Sequence, residues 1–548
     1  MSSRHLIDDR QELVTWRQGR CLPYGEGITF WALGEIVKAQ AGILESDPPA
    51  QVAAKLDGSL QALVDRASER DWLRVRLGSL LGLAGAEGPR VDQAELFAAC
   101  RRFVEAMAAR GPLVLVIEDL HWADTGLLQF LDYLVDTLTG VTLLVVATAR
   151  AELLDRHPGW SEARPNATSV TLPPLTDAET AALIAALLGQ PMLPAGVRAP
   201  LLERAGGNPL YAEEFARLLT DRGLLVRDDR GVRLSPDQEI PFPETVQALV
   251  AARLDTLPPD RKAIVQDAAV VGKVFWPGAL AALGGGDEQA VQAELRELER
   301  MELIRAARAS SVEGQPEYAF WHAVIRDVAY TQIPRARRTQ RHQRAAEWLE
   351  RLAGDRVADR AEIIAHHYSQ AAALAHATGD RGPRLAKLEE SARRFLVLAG
   401  GRALALDVGR ARRYYQQALA LCPPDHPQRP QILVGTARAA FQGGHVEEAA
   451  AAYEEAIAGS ARHGDVRGQV EALNRLCTVL WHQGETSRSR AVLLQGIKLL
   501  EPSRRAPSCA SPTRRWPPIE CCRATRRKRC RGPTRRSPSP SGLVASRR

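Results

Sequence analysis

The stretch Leu113-Val114-Leu115-Val116-Ile117-Glu118-Asp119-Leu120-His121-Trp122-Ala123-Asp124 decides how the chain is read. Pro112 opens an apolar run of strand length that ends on two adjacent carboxylates. A helical pattern follows, with Leu127, Leu128, Leu131, Leu134, Val135 and Leu138 on one face, and Asp124 stands where it would cap that helix. A second apolar run, Val141 to Ala147, ends at Thr148 and Arg150. Two buried parallel strands joined by one helix fit this spacing. Ligands of open α/β sheets bind outside the carboxyl ends of the strands, which makes Glu118 and Asp119 candidates for chemistry. One carboxylate can hold Mg²⁺ through water while its neighbour orients an attacking water. The other reading is that acids after a strand merely cap the next helix.

On either side of that stretch, to about Gly159, short apolar runs alternate with amphipathic patterns, as in βαβ units. From Leu175 to Leu225 the periodicity is helical, broken at Gly189 to Gly196 and at Gly206-Gly207-Asn208-Pro209, and predicts a small helical lid. Residues 240–334 hold helices carrying Leu249, Leu254, Ile264 and Leu298, then strand-like pieces at Leu303 to Ala306 and Tyr318 to Phe320. That order suits a winged helix. Beyond Arg335 the pattern is helical and rich in alanine. Ala411, Tyr415 and Ala418 recur 38 positions later as Ala449, Tyr453 and Ala456, and Gly444 is echoed at Gly484. Such a period predicts a solenoid of tetratricopeptide type, whose small residues let paired helices approach closely. The expected fold is therefore an α/β parallel sheet (1–160), a helical lid (161–238), a winged-helix-like region (239–335) and helical repeats (336–500).

The 548 residues suffice for three or four domains, and 45% hydrophobic with 25% charged residues is the balance of a soluble globular chain. No apolar run reaches the roughly 18 residues of a membrane span, and Met1 to Arg10 lacks the apolar core of a secretory signal. A cytoplasmic location is the expectation. The net charge of +7 misleads, because residues 501–548 hold 14 Lys and Arg against two Glu. The first 500 residues carry 58 basic against 63 acidic side chains, so the body of the chain gives no support for nucleic-acid binding. The tail is rich in Arg, Pro, Ser and Cys and predicts disorder. Its abrupt onset after a good helix reads as out-of-frame translation of a GC-rich coding sequence, with a natural basic tail as the alternative. Cys21, Cys100, Cys422 and Cys477 are scattered over the body at spacings that suit neither zinc nor a disulfide framework. His366 and His367 lack partner ligands at suitable spacing and read as a helix surface, and Arg335, Arg337, Arg338, Arg341 and Arg344 read as a solvated basic face.

The string from Glu118 to Asp124 resembles the Walker B segment of the STAND ATPases, AAA-like signalling proteins found in bacterial adenylate- and guanylate-cyclase-linked proteins and large LuxR-type regulators. Further pieces match in order. Gly19 to Trp31 is similar to the strand and loop after the first ATPase helix, Thr148-Ala149-Arg150 to the sensor, Gly207-Asn208-Pro209-Leu210-Tyr211-Ala212-Glu213-Glu214 to the lid motif, and Phe320 to Tyr330 to the winged-helix histidine motif. The resemblance implies an ATP/ADP-binding signalling or transcription-regulating protein using Mg²⁺, and it makes the sheet of residues 1–160 an α/β P-loop-type parallel sheet that is incomplete. It implies Glu118 as the Mg²⁺ carboxylate, Asp119 as the carboxylate that orients water, and Arg150 as the γ-phosphate sensor. Pro209 would lie against adenine on the turn shaped by Gly207 and Asn208, and His322 would touch the diphosphate of ADP. From the residues alone, the alternatives are a surface arginine, a helix-breaking turn and a packed or solvated histidine. Trp321 departs from the family, which more usually has arginine there.

No GxxxxGK[ST] occurs; the lone Gly-Lys, Gly272-Lys273, has the wrong upstream spacing. Without that loop the triphosphate lacks its cradle of backbone N–H groups and its lysine, and binding should be severely weakened. The expectation is a chain truncated just upstream of Met1. A protein partner or inducer would bind the repeats, and homo-oligomer formation stays open. The rival readings are a non-enzymatic helical-repeat scaffold and a DNA-binding transcriptional regulator.

Overall fold

The two apolar runs do form parallel strands, and a third strand precedes them. In a computed structural model, β1 (Thr15–Arg20), β2 (Leu113–Glu118) and β3 (Leu143–Ala147) lie side by side in that order, all parallel. The structure describes residues 14–22, 30–83, 92–161, 166–188, 195–228, 231–234, 243–307 and 309–500. Residues 23–29, which hold the loop half of the Gly19 to Trp31 match, and the tail 501–548 lie outside them.

Helices Trp31–Ala41, Pro49–Leu63, Ala67–Leu80, Gln93–Ala108 and Thr125–Thr137 cover the sheet, with Phe30, Ile36, Leu56, Leu77, Phe103 and Phe130 in the shared core. The first of these lies so close to β1 that a Cβ on Gly19 would sit 2.4 Å from the carbonyl oxygen of Ala32. The expectation of two buried strands holds for β2 and fails for β3. Leu144 is 57% exposed and Val146 38%. The reason is coverage of one face only: Leu143 and Val145 pack against the sheet's core, while Leu144 and Val146 point to the opposite face and join no described core cluster.

Helices Asp177–Leu188, Ala195–Ala205 and Pro209–Asp221, where the lid is expected, pack around Ile184, Leu201, Tyr211 and Phe215. An antiparallel hairpin, β4 (Leu225–Asp228) and β5 (Gly231–Leu234), follows, which periodicity does not predict. Helices Val246–Leu254, Pro259–Val271, Pro277–Gly284 and Glu288–Arg300 then pack against a small antiparallel sheet in the order β6 (Val274–Phe275), β8 (Tyr318–Phe320), β7 (Ile304–Ala306).

From Arg335 the chain is a run of antiparallel helices: Arg335–Ala353, Ala361–Ala377, Pro383–Ala403, Val408–Ala420, Arg429–Gln442, Val446–Arg462, Val466–His482 and Thr486–Leu500. The six residues of the 38-residue repeat, Ala411, Tyr415, Ala418, Ala449, Tyr453 and Ala456, are all buried. Gly444 and Gly484 both hold φ near +80°, the left-handed turn that opens each following helix and that glycine adopts without strain. Contacts divide the chain into Met1–Gly496 and Ile497–Arg548. Among the described residues no helix is long and apolar enough to cross a membrane.

Two surface assignments need correction. His367 is buried, its Nδ1 lying 2.9 Å from Nδ1 of His342, and His366 is half-buried beside them. Helix 361–377 packs between its neighbours, so both faces carry core. Of the basic stretch, Arg341 pairs with Asp267, Arg344 donates to the carbonyl of Leu283 at 2.6 Å, and Arg338 donates to the carbonyls of Ile333 and Thr331, each at 2.7 Å. Arg338 and Arg344 thus close helix ends and Arg341 is held by a carboxylate, whereas Arg335 and Arg337 are exposed, as expected of a solvated face.

Within the first unit the loop 43–47 joins the sheet region to the repeats. Arg356 donates to the carbonyl of Asp47 at 3.1 Å, and Arg360 donates to both the carbonyl and the carboxylate of Glu45 at 2.8 and 2.9 Å. Leu406, at the turn after helix 383–403, packs into the sheet's core.

Candidate functional site

Parallel pairing brings the carboxyl ends of the three strands to one edge. Arg20 stands opposite Glu118 and Ile117 opposite Ala147, so the residues that follow each strand emerge together. The turn after β2 is tied to the segment after β3. The Asp119 N–H donates to Thr148 Oγ1 at 3.2 Å, and the Leu120 N–H donates to the Thr148 carbonyl at 2.8 Å. Asp119 itself has φ +58° and ψ +42°, a left-handed conformation that aspartate tolerates better than most residues and that is often found at functional sites.

The Glu118 and Asp119 carboxylates, 26% and 33% exposed, share one cation: Lys273 Nζ lies 2.5 Å from Asp119 Oδ2 and 3.3 Å from Glu118 Oε2. Lys273 was passed over in sequence because its Gly-Lys lacks P-loop spacing. The signal that could have found it is compositional, since it is one of only seven lysines among 72 basic residues. The residues present fit a Mg²⁺ ion in kind, because that ion usually keeps several waters and takes only one or two protein carboxylates. They fit it only with the ammonium elsewhere.

Asp124 acts as the predicted cap, accepting from Leu127 N–H at 2.9 Å, and its second oxygen accepts from Phe30 N–H at 3.1 Å. Burial pushes its carboxyl up to about 6. Between the acids and this cap, His121 is buried with no hydrogen-bond partner for either ring nitrogen among the described residues, and burial lowers its basicity. The sequence reading missed it; a polar residue flanked by Leu120 and Trp122 was the available signal.

The other predicted residues belong to other segments. Arg150 is exposed three residues beyond β3. Gly207, Asn208 and Pro209 form the turn into helix Pro209–Asp221: Gly207 has φ +73°, Asn208 accepts from Leu210 N–H at 3.0 Å, and Pro209 opens the helix. His322 meets that same helix, its Nε2 3.2 Å from Glu213 Oε2. The His322 hydrogen bond holds the Glu213 carboxyl below its usual range. Arg217, one turn further on, lies over the Trp321 ring at 5.3 Å.

Among solved structures, the chain is similar to a signal transduction ATPase with numerous domains carrying a tetratricopeptide repeat sensor, from Pyrococcus horikoshii. They share 12% identity at a TM-score of 0.32, covering 92% of this chain and 84% of that one. It is also similar to the ORC1 protein of Aeropyrum pernix in complex with DNA, at 12% identity and a TM-score of 0.21, covering 55% and 90%. An uncharacterized protein of Rhizobium meliloti (strain 1021) is 28% identical over 370 residues, which is 63% of this chain and 34% of the relative. The chain thus spans about a third of the length of that curated relative. Residues 176–233 match a family model described as a domain of unknown function. Residues 3–146, which contain β1, β2, the acid pair and nearly all of β3, match the family model described as the AAA ATPase domain.

Proposed function

We propose that the chain is the nucleotide-responsive and sensing part of a STAND-type ATPase regulator of the cytoplasm, acting in signalling or transcription control. The carrying observation is the pair Glu118 and Asp119 at the carboxyl edge of a parallel sheet, inside a span that matches an AAA ATPase domain. In this reading residues 1–160 are the ATPase core, 161–238 the lid, 239–335 a winged helix and 336–500 the repeats that receive a protein partner or inducer. Glu118 holds the Mg²⁺ of ATP, Asp119 orients water and Arg150 meets the γ-phosphate. The turn Gly207-Asn208-Pro209 flanks adenine, and His322 exchanges Glu213 for the diphosphate of ADP. Nucleotide affinity is low, because no Walker A loop is present in the sequence to cradle the phosphates.

Calorimetric titration of the full chain with MgATP and MgADP tests this. Expected is binding weaker than roughly 0.1 mM, strengthened when a strand, GxxxxGKS loop and helix are fused ahead of residue 14, and lost in Glu118→Gln/Asp119→Asn of that fusion. Unchanged binding in the double variant overturns the reading. The scaffold alternative has one observation in its favour, the Lys273 ammonium between the two acids; a fusion that binds no nucleotide at all decides for it.

A further inference from the structure

We propose that Lys273 is a built-in counter-cation for Glu118 and Asp119, and that it and a divalent metal ion are mutually exclusive occupants of this pair. Loading of the metal then releases the β6 segment from the sheet edge. This rests on the reading of the two acids as a divalent site and adds to it the residue that controls access.

Both sides of the contact are held by backbone geometry rather than by chance rotamers. On the acid side, the left-handed Asp119 is pinned by its N–H bond to Thr148 Oγ1. On the lysine side, Gly272 ends helix Pro259–Val271 with φ 144° and ψ −157°, a conformation open essentially to glycine alone, and this turn sends Lys273 toward the sheet. The Lys273 carbonyl accepts from Phe320 N–H at 3.3 Å, so β8 fixes its main chain. Phe320 leads directly to Trp321 and His322, which meet the lid helix at Arg217 and Glu213. One ammonium thus ties the acid pair to the antiparallel sheet that also holds the lid.

The positive charge is what matters: the ammonium stands between the two carboxylates where a metal ion would stand. Hard divalent ions such as Mg²⁺ and Mn²⁺ seek the same oxygens. An ammonium 2.5 and 3.3 Å from them leaves no room for a second cation and would repel one. The contact is only 20 to 33% exposed, partly solvated, so a divalent ion can displace it.

The experiment uses the full chain, Mn²⁺ alone and no nucleotide, so its outcome is independent of whether ATP binds. Mn²⁺ affinity is read by water-proton relaxation, and release of β6 by amide hydrogen exchange over residues 272–276. Lys273→Gln is expected to bind Mn²⁺ about three- to tenfold more tightly than the wild type, the range a partly exposed ion pair of up to about 1.4 kcal/mol corresponds to. Lys273→Arg keeps the charge and should stay near the wild-type affinity. Mn²⁺ should raise exchange at 272–276 in the wild type, and Glu118→Gln/Asp119→Asn should raise it without metal, a readout that survives if the lysine variant folds poorly. Equal Mn²⁺ affinity in wild type and Lys273→Gln overturns the proposal. So does tightening by Lys273→Arg, tight binding that persists without the two acids, or exchange at 272–276 indifferent to Mn²⁺. Failure of ATP to bind, with these results intact, removes the ATPase reading and leaves the latch.

Discussion

Arg253 donates from Nη1 to Glu214 Oε2 at 2.6 Å with both side chains fully out of solvent. The same guanidinium donates from Nε to Asp221 Oδ2 and from Nη2 to the carbonyl of Met301, each at 2.7 Å. Helix Pro209–Asp221 is thereby clamped to helix Val246–Leu254 and to the turn before β7. A buried pair adds little against an apolar replacement of both partners, but removing one partner strands the other charge. Arg253→Ala should therefore lower stability by about 3–5 kcal/mol in urea unfolding. Arg253→Lys should recover only part, since one ammonium cannot serve three acceptors in a planar fork. A loss below about 1 kcal/mol for Arg253→Ala would mean that water enters and solvates the acids.

Gly207 carries a backbone prediction. Its φ is +73°, and an added Cβ would sit 2.3 Å from the carbonyl oxygen of Leu175, in backbone that cannot swing aside. Gly207→Ala should cost the lid about 1–3 kcal/mol from the combination of left-handed strain and overpacking. Gly206, at φ +51° with open space around its Cβ position, should lose clearly less. Limited proteolysis of the lid, compared between the two variants, checks the order.

How much of this was legible depends on the range of the interactions. The string from Leu113 to Asp124 yields strand, acid pair and cap, because each is fixed by neighbours a few residues away. The alanine and tyrosine repeat yields the solenoid for a similar reason: its contacts recur at constant separation. What periodicity cannot carry is contact between distant segments. Lys273 meets acids more than 150 residues earlier, His322 meets Glu213, and the His342–His367 pair joins two helices of unremarkable pattern. The exposure of β3 was missed because an apolar run reports what a strand can bury, and a packed layer over both faces is needed for that capacity to be used.

Glu45 sets a pH window. Burial opposes its charge, yet Lys38 at 2.6 Å and Arg360 at 2.9 Å overcome this and hold its carboxyl at about 2 against an ordinary 4.5. A depressed carboxyl stabilises the fold above its unfolded value, and that contribution fades as pH falls from about 4.5 through 2. Its full size is about 3 kcal/mol by linkage. Glu45→Gln should lose about that much at pH 7, and the gap to wild type in urea titrations should close toward pH 2. A constant gap across this range would show that packing, not charge, is what the substitution removes.

The buried histidines work in the opposite direction. His342 Nδ1 faces His367 Nδ1 at 2.9 Å, Tyr330 Oη lies 2.8 Å from His342 Nε2, and the His366 ring centroid is 5.5 Å from that of His367 and 6.3 Å from that of His342. Burial first, with Arg326, lowers all three, and neighbouring imidazoles add to this for His342 and His367: His342 to about 3, His366 to about 4, His367 well below its usual range. Arg338 adds to the positive surroundings of His342. Two neutral rings can share one proton between their Nδ1 atoms, whereas two charged rings at that distance repel. The folded chain then binds fewer protons than the unfolded chain between about pH 3 and 6.5, so stability falls as pH drops below 6.5. Helices 335–353 and 361–377 should therefore loosen near pH 4 to 5, seen as earlier amide exchange there than in helices 429–442 and 446–462. Replacing His367 by Gln, which carries no titrating proton, should reduce the drop in Tm between pH 7 and pH 4.5. If the variant and wild type lose the same Tm over that interval, the acid sensitivity resides in other groups and the histidines are only packed.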